Sequence, residues 1–422
     1  MSDTISILKE HCKTNNPNIS DEELDELFTN ISVPMVEQLK DLLDSNFDFS
    51  KNTREHQKND SDISYLNYVK KECDSLSEEI KKRKILYLDT KYWVNIRKAI
   101  INNTDNDYKK LYDLLKQKVL EKKIICPLST EIISELFHQN DGNTLKKTID
   151  IMDDLSDGVS YKFFFDKIVD DFSNFFLKLT ADNCKTSVKN FSDFVPVCLV
   201  LGAAKIIIGK EYADDSMQKS IFDMCRKMKF QYFGKLPGCI DSTDEQVGNR
   251  ACAERMNKEK SSRGDKLPNL KKACSDTLYA NLICFKEYIS QGINNISYLE
   301  KNYSLKEIVN KNLPQISIES LDSIIKGITY KFQQGFLEKD DIPLLVINSI
   351  LCGTSYAEKG RKFHPTDFDD YRHAAIAVPS SDFFFTEDNL AHLLNNTTKL
   401  SQKYVCKVVS KPKEALELVK RI

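Results

Sequence analysis

The sequence of 422 residues predicts an α/β fold, with a parallel sheet sandwiched by helices. At both ends of the chain, short apolar runs end in polar or acidic residues and are followed by helical periodicities. The middle of the chain has helical periodicities and few convincing strand patterns. We therefore expect an N-terminal helical segment over 1–80, a core in two parts over 81–140 and 342–422, and a large helical insertion over 141–341.

The N-terminal segment has apolar residues at spacings typical of amphipathic helices over 21–28 and 33–43. Residues 50–62 are polar and predict a mobile linker. The first residues lack a basic segment followed by an apolar one, and no stretch approaches the length of a membrane span. These features predict a soluble cytoplasmic protein without a membrane partner.

The first core part begins with a continuous apolar run at 85–88, as in a buried parallel strand. Further elements are predicted as helices at 92–101 and 107–120, a strand at 123–126, and a helix at 130–138 capped by Ser129. This alternation is typical of α/β proteins.

The insertion has helical periodicities over 163–179, 194–208, 275–291 and 321–334. Residues 234–268 are rich in Gly, Ser, Asn and charged residues, which predicts a loop.

Strand and helix alternation resumes in the second core part. The predicted elements are helices at 342–352 and 367–377, a strand at 383–385, a helix at 388–394, a strand at 404–409, and a helix at 412–422. The two core parts most simply belong to one sheet.

Composition limits the possible classes of protein. A formal net charge of −2 argues against a protein that coats nucleic acid non-specifically, although local basic patches remain possible. The 12 cysteines include no Cys-x-x-Cys pair, which fits neither a zinc ribbon nor a compact disulfide framework. We expect reduced thiols.

Four acids occupy comparable places in the predicted elements. Asp89 ends the first strand, Glu135 lies one turn into the helix after the second strand, Asp370 lies near the start of a late helix, and Asp388 follows the late strand. Because the carboxyl ends of parallel strands share one edge of a sheet, these acids can meet in one crevice. Such a cluster repels itself unless a cation is present, and oxygen-only ligands select Mg²⁺ or Mn²⁺.

The phrases around these acids resemble the motifs of the PIN-domain nucleases. In chain order they are Leu88-Asp89-Thr90, Ser129 six residues before the Glu of Glu135-Leu136, Asp367-Phe-Asp-Asp370, and Thr386-Glu387-Asp388. The resemblance covers about 83–140 and 342–422. The gap between Glu135 and Asp367 is far longer than in small members of that family.

The resemblance implies a PIN-like core and a metal-dependent endoribonuclease that uses Mg²⁺ or Mn²⁺ and acts on single-stranded RNA. It assigns Asp89, Glu135, Asp370 and Asp388 as catalytic metal ligands, with Asp367 as an additional or outer ligand. Thr90, Thr386 and Glu387 would support these ligands, and Glu387 is an alternative to Asp388 as the ligand itself. The chemistry agrees, because a bound divalent ion generates a water nucleophile near neutral pH.

Other interpretations remain open. Taken singly, each acid fits a helix cap or a solvent-facing position, and only the joint pattern favours a metal site. His373 is interpreted as a structural histidine. A DNA or flap-type nuclease would use the same acids, whereas a catalytically silent scaffold would normally have lost some of them.

The insertion is expected to choose the substrate. Its candidates for phosphate contact are five basic residues in the predicted loop and just after it: Arg250, Arg255, Lys258, Arg263 and Lys271. Acidic residues alternate with them, so an ordinary solvated surface is the alternative.

Overall fold

The computed structural model describes residues 13, 20–22, 48–137, 142–180, 191–200, 214–227, 243–286 and 318–422. This part of the chain is mostly helical, with a small parallel sheet of four strands. The helices predicted at 21–28 and 33–43 lie almost entirely outside the described residues.

The strands are β1 (Lys84–Leu88), β2 (Ile124–Ile125), β3 (Val159–Tyr161), β4 (Phe194–Pro196), β5 (Phe383–Phe385) and β6 (Lys407–Val409). The parallel sheet has the order β2-β1-β5-β6, so both core parts contribute to one sheet, as predicted.

The helices are α1 (Phe49–Asn59), α2 (Tyr65–Ile80), α3 (Thr90–Ile101), α4 (Asp107–Leu120), α5 (Thr130–Phe137), α6 (Gly142–Ser156), α7 (Phe164–Thr180), α8 (Val197–Val200), α9 (Asp215–Lys227), α10 (Thr243–Arg263), α11 (Leu270–Cys284), α12 (Ile318–Gln334), α13 (Pro343–Ala357), α14 (Pro365–Ser380), α15 (Asp388–His392), α16 (Leu400–Tyr404) and α17 (Pro412–Lys420). The helices predicted in both core parts are confirmed. The strand predicted at 404–409 is shorter, because Tyr404 ends α16 and pairing begins at Lys407.

The polar segment 50–62 is not a linker, because α1 occupies most of it. The Asp48 side chain begins this helix by accepting the backbone N–H of Lys51 at 2.8 Å. Its buried face carries Thr53 and His56, which hydrogen-bond to polar side chains of α9. Since this contact is polar, the helix has no apolar periodicity that the sequence could show.

Residues 194–196 form a strand rather than the start of a helix. β4 pairs antiparallel with β3 in a separate two-stranded sheet. A short apolar run fits either element, and here the pairing with β3 decided it. The rest of the helix predicted at 194–208 is described only as far as residue 200.

The loop predicted at 234–268 is helical over Thr243–Arg263, which is α10. Its sequence contains many good helix formers, but the helix buries only a narrow face that includes Ala253 and Lys260. A strongly polar surface helix of this kind resembles a loop in composition.

Both faces of the parallel sheet are covered. The successive side chains of Leu86, Tyr87 and Leu88 are all fully buried, although alternate residues of a strand point to opposite faces. The Tyr87 ring packs against His373 of α14, whereas the Phe385 ring packs against Tyr92 of α3. Helices α14 and α3 therefore lie on opposite faces.

The strand order creates a switch point between β1 and β5. The chain leaves β1 towards β2 on one side and leaves β5 towards β6 on the other. In open parallel sheets, ligands bind in the crevice at the carboxyl ends of such neighbouring strands. Leu88 pairs with Phe385, so Asp89 and Thr386 leave the sheet side by side.

None of the described helices combines the length and the apolar character needed to cross a membrane. All nine cysteines of the described part are free thiols.

Candidate active site at the switch point of the sheet

Asp89 is held across the two central strands. It caps α3 through one carboxylate oxygen, which accepts the backbone N–H of Lys91 at 2.9 Å. The other oxygen accepts the hydroxyl of Thr386, which is fully buried at the end of β5. Thr90 begins α3 directly after it, with a buried hydroxyl. These contacts fix the Asp89 carboxylate at the switch point.

Glu135 on α5 is connected to the core through three buried side chains. Nε2 of His373 lies 2.9 Å from Glu135 Oε1. Nδ1 of the same ring lies 2.7 Å from the Tyr87 hydroxyl. That hydroxyl lies 2.8 Å from Ser129 Oγ. We call these four side chains the Glu135 chain.

The charges of Glu135 and His373 stabilise each other. Burial alone would lower the pKa of His373, but the charge and hydrogen bond of Glu135, together with Asp89, raise it to about 9. Burial alone would raise the pKa of Glu135, but the His373 charge and hydrogen bond hold it below the usual value. The pair is therefore ionic at neutral pH.

Asp370 carries the strongest sign of crowding among the acids. Burial, followed by the charges of Asp89 and Glu387, raises the pKa of Asp370 to about 8, and Glu135 adds to this. Within the described residues, neither a hydrogen bond nor an ion pair engages its carboxylate. The structure therefore brings Asp89, Glu135, Asp370 and Glu387 close enough for their charges to interact; we call these four residues the acid cluster.

Glu387, rather than its neighbour Asp388, faces the acid cluster. Burial and then the charge of Asp89 raise the pKa of Glu387, which is half-buried. The Asp388 side chain is 56% exposed and its carboxylate lies 2.5 Å from Nζ of Lys411. That hydrogen bond lowers the pKa of Asp388. Of the two acids that the sequence left open, the structure thus places Glu387 beside Asp89 and Asp388 at the surface with Lys411.

Asp367 is nearby but already engaged. One of its oxygens accepts the backbone N–H of His364 at 2.9 Å, which caps α14. The other lies 3.2 Å from the guanidinium of Arg361. Its charge contributes to raising the pKa of Glu387, so it lies at the edge of the acid cluster.

The acid cluster fits a hard divalent cation in its chemistry. All its donors are carboxylate oxygens, which Mg²⁺ and Mn²⁺ prefer. The charges of three other acids raise the pKa of Asp370, whereas the positive charge of His373 lowers it. In the ranges that the structure describes, no three His, Cys, Asp or Glu side chains are arranged to hold one ion. Binding would therefore require the Asp370 carboxylate, which no described hydrogen bond or ion pair holds, to turn towards the other acids.

The basic candidates lie on helices rather than in a loop. Arg250, Arg255, Lys258 and Arg263 are exposed on α10, and Lys271 is exposed on α11. Arg263 pairs with Glu259 at 2.6 Å. The helix α10 contacts the start of α14, where Asn249 Nδ2 donates to Asp369 Oδ1 at 2.9 Å. Helix α10, with its exposed basic and acidic residues, therefore packs against α14, the helix that contains Asp370.

The sequence gives no indication that Tyr87 belongs to the site, and it predicts Ser129 mainly as a helix cap. Tyr87 lies in an apolar strand and gave no signal of a polar role. Ser129 does cap α5, since its hydroxyl accepts the backbone N–H of Ile132 at 3.3 Å. Its second contact, to Tyr87, depends on the tertiary structure.

Fold and site together define an α/β protein with a group of acidic residues beside the switch point of its parallel sheet. Comparison of the chain with protein-family models, with curated proteins and with solved structures found no match.

Proposed function

We propose that this protein is a metal-dependent endoribonuclease with a PIN-like core, which hydrolyses RNA phosphodiester bonds with Mg²⁺ or Mn²⁺. The observation that carries the proposal is that the charges of Asp89, Glu387 and Glu135 all raise the pKa of Asp370, which has no hydrogen bond or ion pair among the described residues. The resemblance of the surrounding phrases to PIN-domain motifs supports the choice of chemistry.

Asp89, Glu135, Asp370 and Glu387 would hold the metal, with Asp367 and Asp388 at the margin. When bound, the ion lowers the pKa of a water molecule and stabilises negative charge on the phosphate. Thr386 orients Asp89 by donating its hydroxyl hydrogen to the carboxylate. The exposed basic residues of α10 supply candidate contacts for the RNA backbone.

The proposal is tested by cleavage of single-stranded RNA and of DNA with the same base sequence, with Mn²⁺ and at one fixed salt concentration. We expect cleavage of RNA, and we expect Asp89→Asn to lower its rate by roughly 100-fold. The matched control is Asp113→Asn, which removes an exposed carboxylate paired with Lys109 on α4. We expect this control to cleave at the wild-type rate.

A second pair of variants tests which of two neighbouring acids belongs to the acid cluster. Glu387→Gln should lower the rate by roughly 10 to 100-fold, because this carboxylate faces Asp89 and Asp370. Asp388→Asn should change the rate little, since that carboxylate is exposed and paired with Lys411.

In the comparison of RNA with DNA, cleavage of DNA alone would assign the flap-type alternative.

Equal activity of wild type and Asp89→Asn would overturn the metal-nuclease proposal. The proposal would also be overturned if wild type with Mn²⁺ cleaved no member of a broad RNA panel, an outcome that fits a silent scaffold.

We place this activity in the cytoplasm, where free thiols such as those of the described cysteines stay reduced.

A further inference from the structure

The Glu135 chain runs from the acid cluster into the interior of the protein. The Glu135 side chain is 33% exposed, whereas the His373 side chain is 1% exposed. Tyr87 and Ser129 are fully buried. Of the four side chains in the Glu135 chain, only Glu135 therefore reaches the surface at the acid cluster.

Each link of the Glu135 chain joins a different element to the site. Tyr87 lies on β1, His373 on α14 and Glu135 on α5. Ser129 closes the far end, because its hydroxyl also accepts the backbone N–H of Ile132 in the first turn of α5. The helix that carries Glu135 is thus fixed at its N-terminus and, one turn later, through the carboxylate itself.

Packing alone does not explain these residues. An apolar side chain would fill the place of His373 without the cost of burying polar groups. Once buried, the polar groups must be paired, since an unpaired one costs about 1–3 kcal/mol. A fully satisfied polar network instead selects one arrangement of its members. The one member of this network that is partly exposed, and that belongs to the acid cluster, is Glu135.

We propose that His373 and Tyr87 are positioning residues that hold the Glu135 carboxylate in the orientation needed for a divalent cation at the acid cluster. The inference rests on the proposed function, because it requires the acid cluster to bind a metal. It extends that function by assigning a second set of residues, outside the carboxylates, on which the affinity for the ion depends. Such supporting contacts typically change metal affinity by 10 to 100-fold.

Two variants of His373 separate orientation from charge. In His373→Gln the amide nitrogen can take the place of Nε2 and still donate to Glu135, whereas in His373→Asn it reaches only the place of Nδ1, beside Tyr87. Both variants remove the same positive charge near the acid cluster. If charge alone decided the affinity, both variants would bind a cation more tightly than wild type does, and to the same degree.

A second pair of variants leaves the charge of the site unchanged. Tyr87→Phe removes only the hydroxyl that holds Nδ1 of His373. Its control is Tyr161→Phe, which removes a buried hydroxyl bonded to Ser381 Oγ at 2.8 Å on a ring that packs against Tyr87. The control loses a comparable buried hydrogen bond that has no link to Glu135.

The measurement is the Kd for Mn²⁺ on the full chain, from the electron paramagnetic resonance signal of the free ion, well below each variant's Tm. We expect His373→Asn to raise the Kd by 10 to 100-fold and His373→Gln to raise it less. Tyr87→Phe should raise it several-fold, while Tyr161→Phe should leave it unchanged. If His373→Asn does not fold, the tyrosine pair decides the question.

Equal Kd values for wild type, His373→Asn and Tyr87→Phe would overturn the positioning role and leave the nuclease proposal standing. A wild-type protein that binds no Mn²⁺ would overturn both. The two failures are therefore distinguishable in the same titration.

Discussion

At the scale of single residues, Asp370 shows how the site is arranged electrostatically. Its pKa is raised to about 8 by burial and by Asp89 and Glu387. The ionised form is therefore disfavoured in the folded protein, and a bound cation would reverse that preference. This behaviour contrasts with Asp388, whose pKa is lowered by Lys411 at the surface.

The raised pKa of Asp370 predicts the pH dependence of stability. Because the pKa is about 8 in the folded state and 3.8 as the ordinary value, the folded state holds a proton that the unfolded state releases. The stability contributed by this proton is complete below the ordinary pKa and is lost as pH rises to about 8. In metal-free buffer, Asp370→Asn should therefore have a higher Tm than wild type at pH 8, by a few °C.

Calorimetry between pH 5 and pH 8.5 measures this difference. The gap between the variant and wild type should narrow as the pH falls. A variant that is less stable than wild type at pH 8 would show that Asp370 is not repelled by its neighbours.

At the scale of elements, α10 braces the segment that leads into the site. Nζ of Lys260 donates to the backbone carbonyls of Ser355, Glu358 and Arg361 at 2.9, 2.7 and 2.7 Å. These carbonyls lie at the end of α13 and in the loop before α14. A cation at this place satisfies carbonyls that the end of a helix leaves unpaired.

Asn257 adds a second connection from α10 to the same loop. Its Nδ2 donates to the carbonyl of Phe363, and its Oδ1 accepts the N–H of Phe363, each at 2.9 Å. The insertion thus holds the loop from which α14 begins, in addition to any role in substrate choice.

This bracing predicts a stability effect for one lysine and none for its neighbour. Lys260→Met should lower the free energy of unfolding by roughly 1–3 kcal/mol, because three carbonyls lose their donor. Lys258→Met, on the exposed face of the same helix, should change it by less than about 0.5 kcal/mol. Urea unfolding of the two variants measures both values, and equal values would exclude the brace.

At the scale of the whole molecule, a net charge of −2 means that the proposed RNA substrate would have to be bound by a local basic surface. The exposed candidates on α10 are Arg250, Arg255 and Lys258. Lys271 on α11 is exposed as well, whereas Arg263 is already paired with Glu259.

This surface predicts the salt dependence of RNA binding. Each phosphate contact on a single strand contributes about −0.7 to the slope of log K against log salt concentration. Replacing Arg250, Arg255 and Lys258 together by Gln should make the slope shallower by about 2 if all three contact phosphates. Fluorescence anisotropy with a single-stranded RNA, on the Asp89→Asn background to prevent cleavage, measures the slope. A slope equal to that of Asp89→Asn alone would assign α10 to the solvated surface.

Much of the core could be predicted from the sequence because its signals are local. Apolar runs such as 85–88 and 383–385 indicated buried strands, and the structure has strands at both places. Acids placed after those runs were expected at one edge because parallel strands share their carboxyl ends. Asp89 and Thr386 do leave the sheet side by side, and the charge of Asp89 raises the pKa of Glu387.

Other features were decided only by the tertiary structure. The pairing of Asp388 with Lys411 depends on the segment after β6, which is distant in the sequence. The Glu135 chain joins residues of β1, α5 and α14 through polar contacts that have no periodic pattern in the sequence. Helices α1 and α10 were missed for the same reason, since their buried faces are partly or largely polar. The sequence by itself determined where strands end and acids follow, whereas pairing between distant polar groups exists only once the chain has folded.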